Sequence, residues 1–227
     1  MKSSADFLSF VTIFSGLPNE TLEQIVQIGT RKIYKKNSII LMEEDDTKAL
    51  FIIISGKVKV TRTSSDGREV ILKILSESDI FGEMALLDGD TRSATITALE
   101  ISEVLVIQRN QFLEFLKEHP ETSIAVMQEL SKRLRNANMQ IKSLSLKDAE
   151  GKVATVIVQL AVDFGKIKHG MVEIEKLPLQ QDLANMAGTS RETISRTLHS
   201  FAKKGMIELE GSKLRIFNFE KFQATYL

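Results

Sequence analysis

Cysteine is absent from the 227 residues. That excludes disulfides, thiolate nucleophiles, zinc–thiolate sites and cysteine-ligated iron–sulfur clusters. The only histidines, His119, His169 and His199, are scattered, and with no cysteine to join them they predict no metal site. No apolar run reaches the roughly 18 residues that a membrane-spanning helix needs. The opening MKSSADFLSF has neither the apolar core nor the small-residue cleavage site of an export signal, so a cytoplasmic location is expected. No GxSxG or HExxH occurs, no catalytic constellation is visible, and the chain is not expected to be an enzyme. Net charge is also missing: 30 basic side chains balance 30 acidic ones, which argues against a globally basic nucleic-acid binder.

What is present is unevenly spread. Residues 1–130 carry 14 basic and 20 acidic side chains, residues 131–147 carry 5 and 0, and residues 148–227 carry 11 and 10. The basic stretch is a solvated helix face or a surface for an anionic partner. Hydrophobic residues make up 43%, enough for real cores, and the length suits one ordinary domain and a smaller one.

Residues 1–30 read as helical, with NETLEQIVQI following Pro18 and Asn19 as its N-cap. From about 31 to 108 the pattern becomes strands: SIILM, ALFIIIS, KVKVTRT, EVILKIL, SATITAL and SEVLVI. Ser55-Gly56, Ser65-Asp66-Gly67 and Asp88-Gly89-Asp90 supply turns. Short strands so spaced predict an antiparallel roll or barrel. Helix returns near residue 109. Met127, Leu130, Leu134, Ala137, Ile141 and Leu144 then follow intervals of 3, 4, 3, 4 and 3, a heptad seam. Such a seam lies on its own domain or joins two copies; the polar flanks favour a homodimer through residues 127–144. Asp148 is expected to cap a helix running through VATVIVQLAVDF. Residues 165–177 read as loop and strand, and MIELEGSKLRIFNF finishes the chain as a hairpin around Glu210-Gly211-Ser212.

Between them, QQDLANMAGTSRETISRTLHSFAKKG reads as helix, turn, helix. Gly188 suits the positive-φ position of the turn, and Thr189 is the expected cap of the second helix. Ile194, Leu198 and Phe201 share a buried face; Arg191, Glu192, Ser195, Arg196 and His199 share the other. A recognition helix offers its N-terminal exposed residues to base edges. Arginine can bond guanine O6 and N7 together, and glutamate can accept from cytosine N4. Bland readings exist: Thr189-x-x-Glu192 is also a capping box, and Glu192 and Arg196 make an i, i+4 pair. The preceding helix, the turn and the winglike hairpin together favour DNA.

FGEMALLDGDTRSATITA, residues 81–98, is a second motif. Gly82 would let a backbone approach a ligand closely. Residues 83–87 can form one helical turn whose free N–H groups attract an anion. Arg92 would fork onto two phosphate oxygens, and Ser93 would add a hydroxyl. Glu83 is out of place in an anion site unless the ligand brings a hydroxyl donor beside its phosphate, as a cyclic nucleotide does. Alone, the motif reads more readily as a Glu83–Arg92 ion pair holding a loop.

FGEMAL…RSAT and GTSRETISR, in this order around a heptad helix, resemble the phosphate-binding cassette and recognition helix of the cyclic-AMP receptor protein and fumarate–nitrate regulator superfamily of bacterial transcription regulators. The resemblance covers nearly the whole chain. It implies an α+β fold: an N-terminal cyclic-nucleotide-binding β-roll over residues 1–115, a dimerisation helix over 116–147 and a winged helix-turn-helix over 148–227. It implies that Gly82, Glu83, Met84 and Ala85 contact ribose and phosphate, and that Arg92 and Ser93 bind phosphate. It also implies that Thr189, Ser190, Arg191, Glu192, Ser195 and Arg196 meet DNA bearing TGTGA-like inverted half-sites, that the ligand is cyclic AMP, and that RNA polymerase is a partner, with loop 165–170 as a candidate surface.

Three departures stand out. Ala137-Asn138 occupies the place of the Thr-Ser pair that holds adenine in the best-known member, and Asn138 can bond a purine edge. Ser78-Asp79 replaces a Gly-Asp before FGE, and MEEDDT lacks the glycine of an EGD turn; both predict altered turns. The lack of cysteine excludes the iron–sulfur branch, and no histidine is placed as a haem ligand. Two other readings remain: a regulator that is ligand-independent or switched by a cyclic dinucleotide, and a cyclic-nucleotide-binding module of another protein.

Overall fold

In a computed structural model, residues 6–168 and 170–226 are described. His169 and the first five residues lie outside them. The chain divides into two compact units, Met1–Arg135 and Asn136–Leu227.

The first unit opens with two short 3-10 turns, Asp6–Phe10 and Thr12–Phe14, then helix α1, Asn19–Ile28. The expected single helical stretch is thus broken, because Gly16 takes a φ of 94° and Pro18 precedes the helix. Pro18, not Asn19, is the cap position, and no side chain caps it. Eight strands follow: β1 Gly29–Tyr34, β2 Ile39–Leu41, β3 Ala49–Ser55, β4 Lys57–Thr63, β5 Glu69–Ser76, β6 Ile80–Phe81, β7 Thr95–Ala98 and β8 Ser102–Gln108. They form two antiparallel sheets, ordered β1-β8-β3-β6 and β2-β7-β4-β5. The six expected runs match β2, β3, β4, β5, β7 and β8. β1 and β6 escaped notice: β1 is a polar edge strand, and β6 is only two residues long.

Period-two alternation explains why Ala49–Ile54 of β3 and Val104–Ile107 of β8 are apolar without a break. Ala49, Phe51, Ile53, Val104 and Val106 join the core shared with the second sheet. Leu50, Ile52, Leu105 and Ile107 face a second core built with Phe14, Leu22, Ile25, Phe112 and Phe115. Both faces are covered, so neither can be polar. Helix α2, Glu83–Asp88, lies between β6 and β7, and α3, Arg109–Glu118, follows β8.

Helix α4, Pro120–Leu146, continues past the division between the units. In the second unit, Asp148 caps α5, Ala149–Phe164, as expected: its carboxylate accepts from the Gly151 N–H at 2.8 Å. β9 Lys166–Lys168 and β10 Met171–Ile174 replace the expected loop and single strand. Helices α6, Gln180–Ala187, and α7, Arg191–Lys203, precede the hairpin β11 Ile207–Glu210 and β12 Lys213–Ile216. The sheet order is β11-β12-β10-β9. The hairpin does not end the described chain: α8, Phe219–Tyr226, follows and buries Phe222. Tyr226 is doubly tied. Its hydroxyl donates to Glu150 at 2.6 Å, and its carbonyl accepts from Lys147 Nζ at 2.6 Å.

Candidate functional site

The cassette is held by its own residues. Gly82 has a φ of 80°. A Cβ there would lie 2.8 Å from the Ala49 carbonyl oxygen and 2.8 Å from Arg92 Nη1. The missing side chain therefore makes room for protein groups. Arg92 is only 3% exposed. Its guanidinium donates to the Gly82 carbonyl at 2.7 Å, the Ala49 carbonyl at 3.1 Å and Thr47 Oγ1 at 3.2 Å, and lies over the Phe51 ring. Among the described residues no carboxylate reaches ion-pair distance of it. Burial pulls its pKa below the usual arginine value, against the fields of Glu83 and Asp45. Buried cations without a paired anion are rare.

Glu83, 5% exposed, already has a cation, and that cation is not Arg92. Arg133 of α4 donates to Glu83 Oε1 at 3.0 Å, to Glu129 at 2.9 Å and to the Ile80 carbonyl at 2.9 Å. The alternative reading of the motif, a Glu83–Arg92 ion pair, is not what the structure has: Glu83 pairs with Arg133. A hydroxyl from a ligand is not needed to make the carboxylate tolerable. The fields of Glu83 and Glu129, with the Glu129 hydrogen bond, outweigh burial and raise the Arg133 pKa. Sequence reasoning missed Arg133; its one legible trace was Glu129 four residues earlier, the favourable order on a helix.

Helix α2 forms the expected turn, starting one residue after Gly82. Met84, Arg92 and Ser93 line a cavity of about 250 Å³, and Ser93 Oγ contacts Met84 Sδ at 3.7 Å. Glu43, Glu44, Asp88 and Asp90 outnumber Arg62 on its rim; among the described residues only Glu43 of these four is ion-paired, with Arg62 at 2.7 Å. Ala85 is buried behind. At the two turns lacking glycine, a residue with a side chain takes a positive φ. Ser78 has a φ of 70° and Glu44 a φ of 72°, so both adopt the left-handed backbone that glycine would adopt without strain.

Ala137 and Asn138 are exposed and belong to the second unit. Of the seam residues, Met127, Leu134, Ile141 and Leu144 are exposed, whereas Leu130 packs on the first unit's core.

In the second unit α6 ends at Gly188, whose φ is 59°. The cap of α7 is Ser190, not Thr189: Ser190 Oγ accepts from the Thr193 N–H at 3.2 Å. Thr189 is instead bound by its own N–H to the Ala184 carbonyl, which holds it in the turn. Glu192 bonds its own N–H and Ser190, and these bonds, with the field of Arg191, lower its pKa. Among the described residues Glu192 makes no ion pair with Arg196; Arg196 instead leans 3.5 Å from Thr193 Oγ1. Ile194, Leu198 and Phe201 are buried. Arg191, Glu192, Ser195, Arg196 and His199 are exposed and, with Gln180, line one groove of about 580 Å³. The hairpin offers less. Lys213 and Arg215 are engaged by Glu173, whose pKa they lower to about 2, and Arg215 also pairs with Glu208.

Residues 31–119 match the cyclic nucleotide-binding domain family and residues 151–225 the Crp-like helix-turn-helix domain family. A "CRP-like cAMP-activated global transcriptional regulator" of Mycobacterium tuberculosis is 31% identical, the match covering 95% of this chain and 96% of that protein. The "Cyclic AMP receptor protein" of Thermus thermophilus is 33% identical, covering 87% and 88%. A CooA variant from Carboxydothermus hydrogenoformans superposes with a TM-score of 0.78 at 25% identity, covering 90% of each chain. Among the described residues no helix is long and apolar enough to cross a membrane. The chain belongs to the cyclic-AMP receptor protein and fumarate–nitrate regulator superfamily and is a cyclic-nucleotide-binding, DNA-binding bacterial transcription regulator.

Proposed function

We propose that this regulator is a homodimer switched allosterically by cyclic AMP. One observation carries the ligand site: Arg92 is buried, has no ion-pair partner among the described residues and gives its donors to neutral carbonyls. A phosphate would replace those neutral acceptors by an anion that the guanidinium fork can bind through two parallel bonds. Ser93 at the cavity adds a hydroxyl, and Met84 an apolar wall. Glu83 keeps oxygen lone pairs beyond the Arg133 bond, and these accept a ribose hydroxyl. That hydroxyl acts on the same carboxylate that holds α4 through Arg133, which gives the ligand a handle on the long helix. The acidic rim favours a singly charged cyclic mononucleotide over a doubly charged cyclic dinucleotide. Relatives named as activated by cyclic AMP support the same choice.

The exposed apolar row on α4 supports pairing of two copies through residues 127–144. Asn138, just off that seam, bonds the purine. Dimerisation sets two α7 helices about 34 Å apart, one DNA turn. They read TGTGA-like inverted half-sites with Arg191, Glu192 and Arg196, flanked by Thr189, Ser190 and Ser195, and RNA polymerase is the downstream partner. The cytoplasm is the proposed location.

Calorimetric titration of the purified chain with cyclic AMP, cyclic GMP and cyclic di-GMP tests the ligand. Cyclic AMP is expected to bind most tightly, and Arg92→Ala to lose at least about 30-fold, the lower range for truncating a charge-assisted pair. Tighter binding of cyclic di-GMP would overturn the choice of ligand, and no binding by any of the three would favour ligand-independent control.

A further inference from the structure

His199 stands apart from the residues already assigned to DNA. It is exposed on the same face of α7 as Arg196, three residues earlier. It borders two grooves: the one lined by Arg191, Glu192 and Arg196, and a second of about 570 Å³ that α7 shares with the hairpin residues Glu208 and Leu209 and with Phe217. Its place along the helix is informative. Eight residues separate it from Arg191, about 12 Å at 1.5 Å per residue. The major groove is about 12 Å wide. With the first turn of α7 against base edges, the third turn emerges at the lip of the groove, where phosphates run.

We propose that His199 is a DNA-backbone contact whose protonation tunes affinity, so that DNA binding strengthens as pH falls. The inference rests on α7 being the helix that enters the groove. Histidine is the side chain that ordinarily gains its charge between about pH 5 and pH 8. The charged groups around it on α7 are Arg191, Glu192, Arg196 and Lys203; the hairpin supplies Glu208, and from α6 the grooves are lined by the neutral Gln180. A phosphate at the groove's lip adds a full negative charge on the favourable side, so forming the complex takes up a proton. The contact is to the backbone, so it acts on every sequence alike.

Fluorescence anisotropy of the intact chain, with cyclic AMP present, tests this on two duplexes: one with TGTGA inverted half-sites and one of mixed sequence. For the wild type, affinity for both is expected to fall about threefold to fivefold between pH 6 and pH 8, the worth of one exposed ion pair. The slope of log affinity against log salt should become shallower by about 0.9, one released counterion. His199→Gln should be flat with pH at the weaker level, and His199→Lys flat at the stronger. Circular dichroism melts establish that both variants fold. A wild-type affinity independent of pH, or an unchanged pH dependence in His199→Gln, overturns the proposal. A pH effect on the half-site duplex alone makes His199 a base reader and overturns the backbone assignment. Failure to bind either duplex at any pH would overturn the DNA geometry along with it.

Discussion

The cassette and the recognition helix solve opposite problems. Glu83 and Arg92 are buried and held from within the protein, Glu83 by Arg133 and Arg92 by backbone carbonyls. Arg191 and Arg196 are exposed on α7 with little to hold them. On the proposed reading, a phosphate would take Arg92 donors that now serve the Gly82 and Ala49 carbonyls, so binding would change contacts inside the first unit. On the same reading, DNA would meet side chains that already face solvent. The difference suits the two tasks: a sensor has to be changed by what it binds, and a reader has to be unchanged by it.

The comparison breaks most readily at Arg133. Arg133→Met should strand Glu83 as a buried, unpaired carboxylate and destabilise the first unit by about 3 kcal/mol, the lower end for breaking a buried pair. Adding Glu83→Leu should restore most of that loss. Urea denaturation of the single and double variants measures both. Additive losses would mean that the pair does not hold the cassette. The reader should behave differently. Arg196→Ala should leave the melting temperature in place while relaxing discrimination at one base pair by about 1–3 kcal/mol. Equal weakening on all sequences in a base-substitution series would make Arg196 a phosphate contact. The smallest expected effect sharpens the contrast at the cassette's margin. Ser78→Gly relieves a left-handed backbone and should stabilise the first unit by about 0.5–1 kcal/mol, the strain removed less the entropy glycine adds. Thermal melts that show no gain would mean the turn carries no strain.

The two regions also differ in how far the sequence discloses them. The face of α7 follows from a period of 3.6 residues, so Ile194, Leu198 and Phe201 are assigned to the core by counting alone, as the structure has them. The cap of the same helix is less legible. Thr189 and Ser190 carry the same hydroxyl chemistry, and only the path of the turn selects Ser190. In the cassette the motif is visible but its wiring is not. The partners of Arg92 are backbone carbonyls at Gly82 and Ala49, and nothing in a residue's identity marks its carbonyl as an acceptor. Arg133 lies 50 residues from Glu83, a pairing that only the packing of α4 creates. The same limit hid α8, whose eight residues, FEKFQATY, are too short for a clear period.

That last helix has a kinetic consequence. The Lys147–Tyr226 bond joins residues 79 apart, and Tyr226–Glu150 joins residues 76 apart. Each closes a loop spanning most of the second unit. Contacts that close long loops form late, after shorter-range pairings have shortened the effective path. A bond absent from the folding transition state leaves the folding rate alone and acts on unfolding. The tyrosine near the end of the chain therefore governs less how fast the DNA-reading unit assembles than how long it stays assembled.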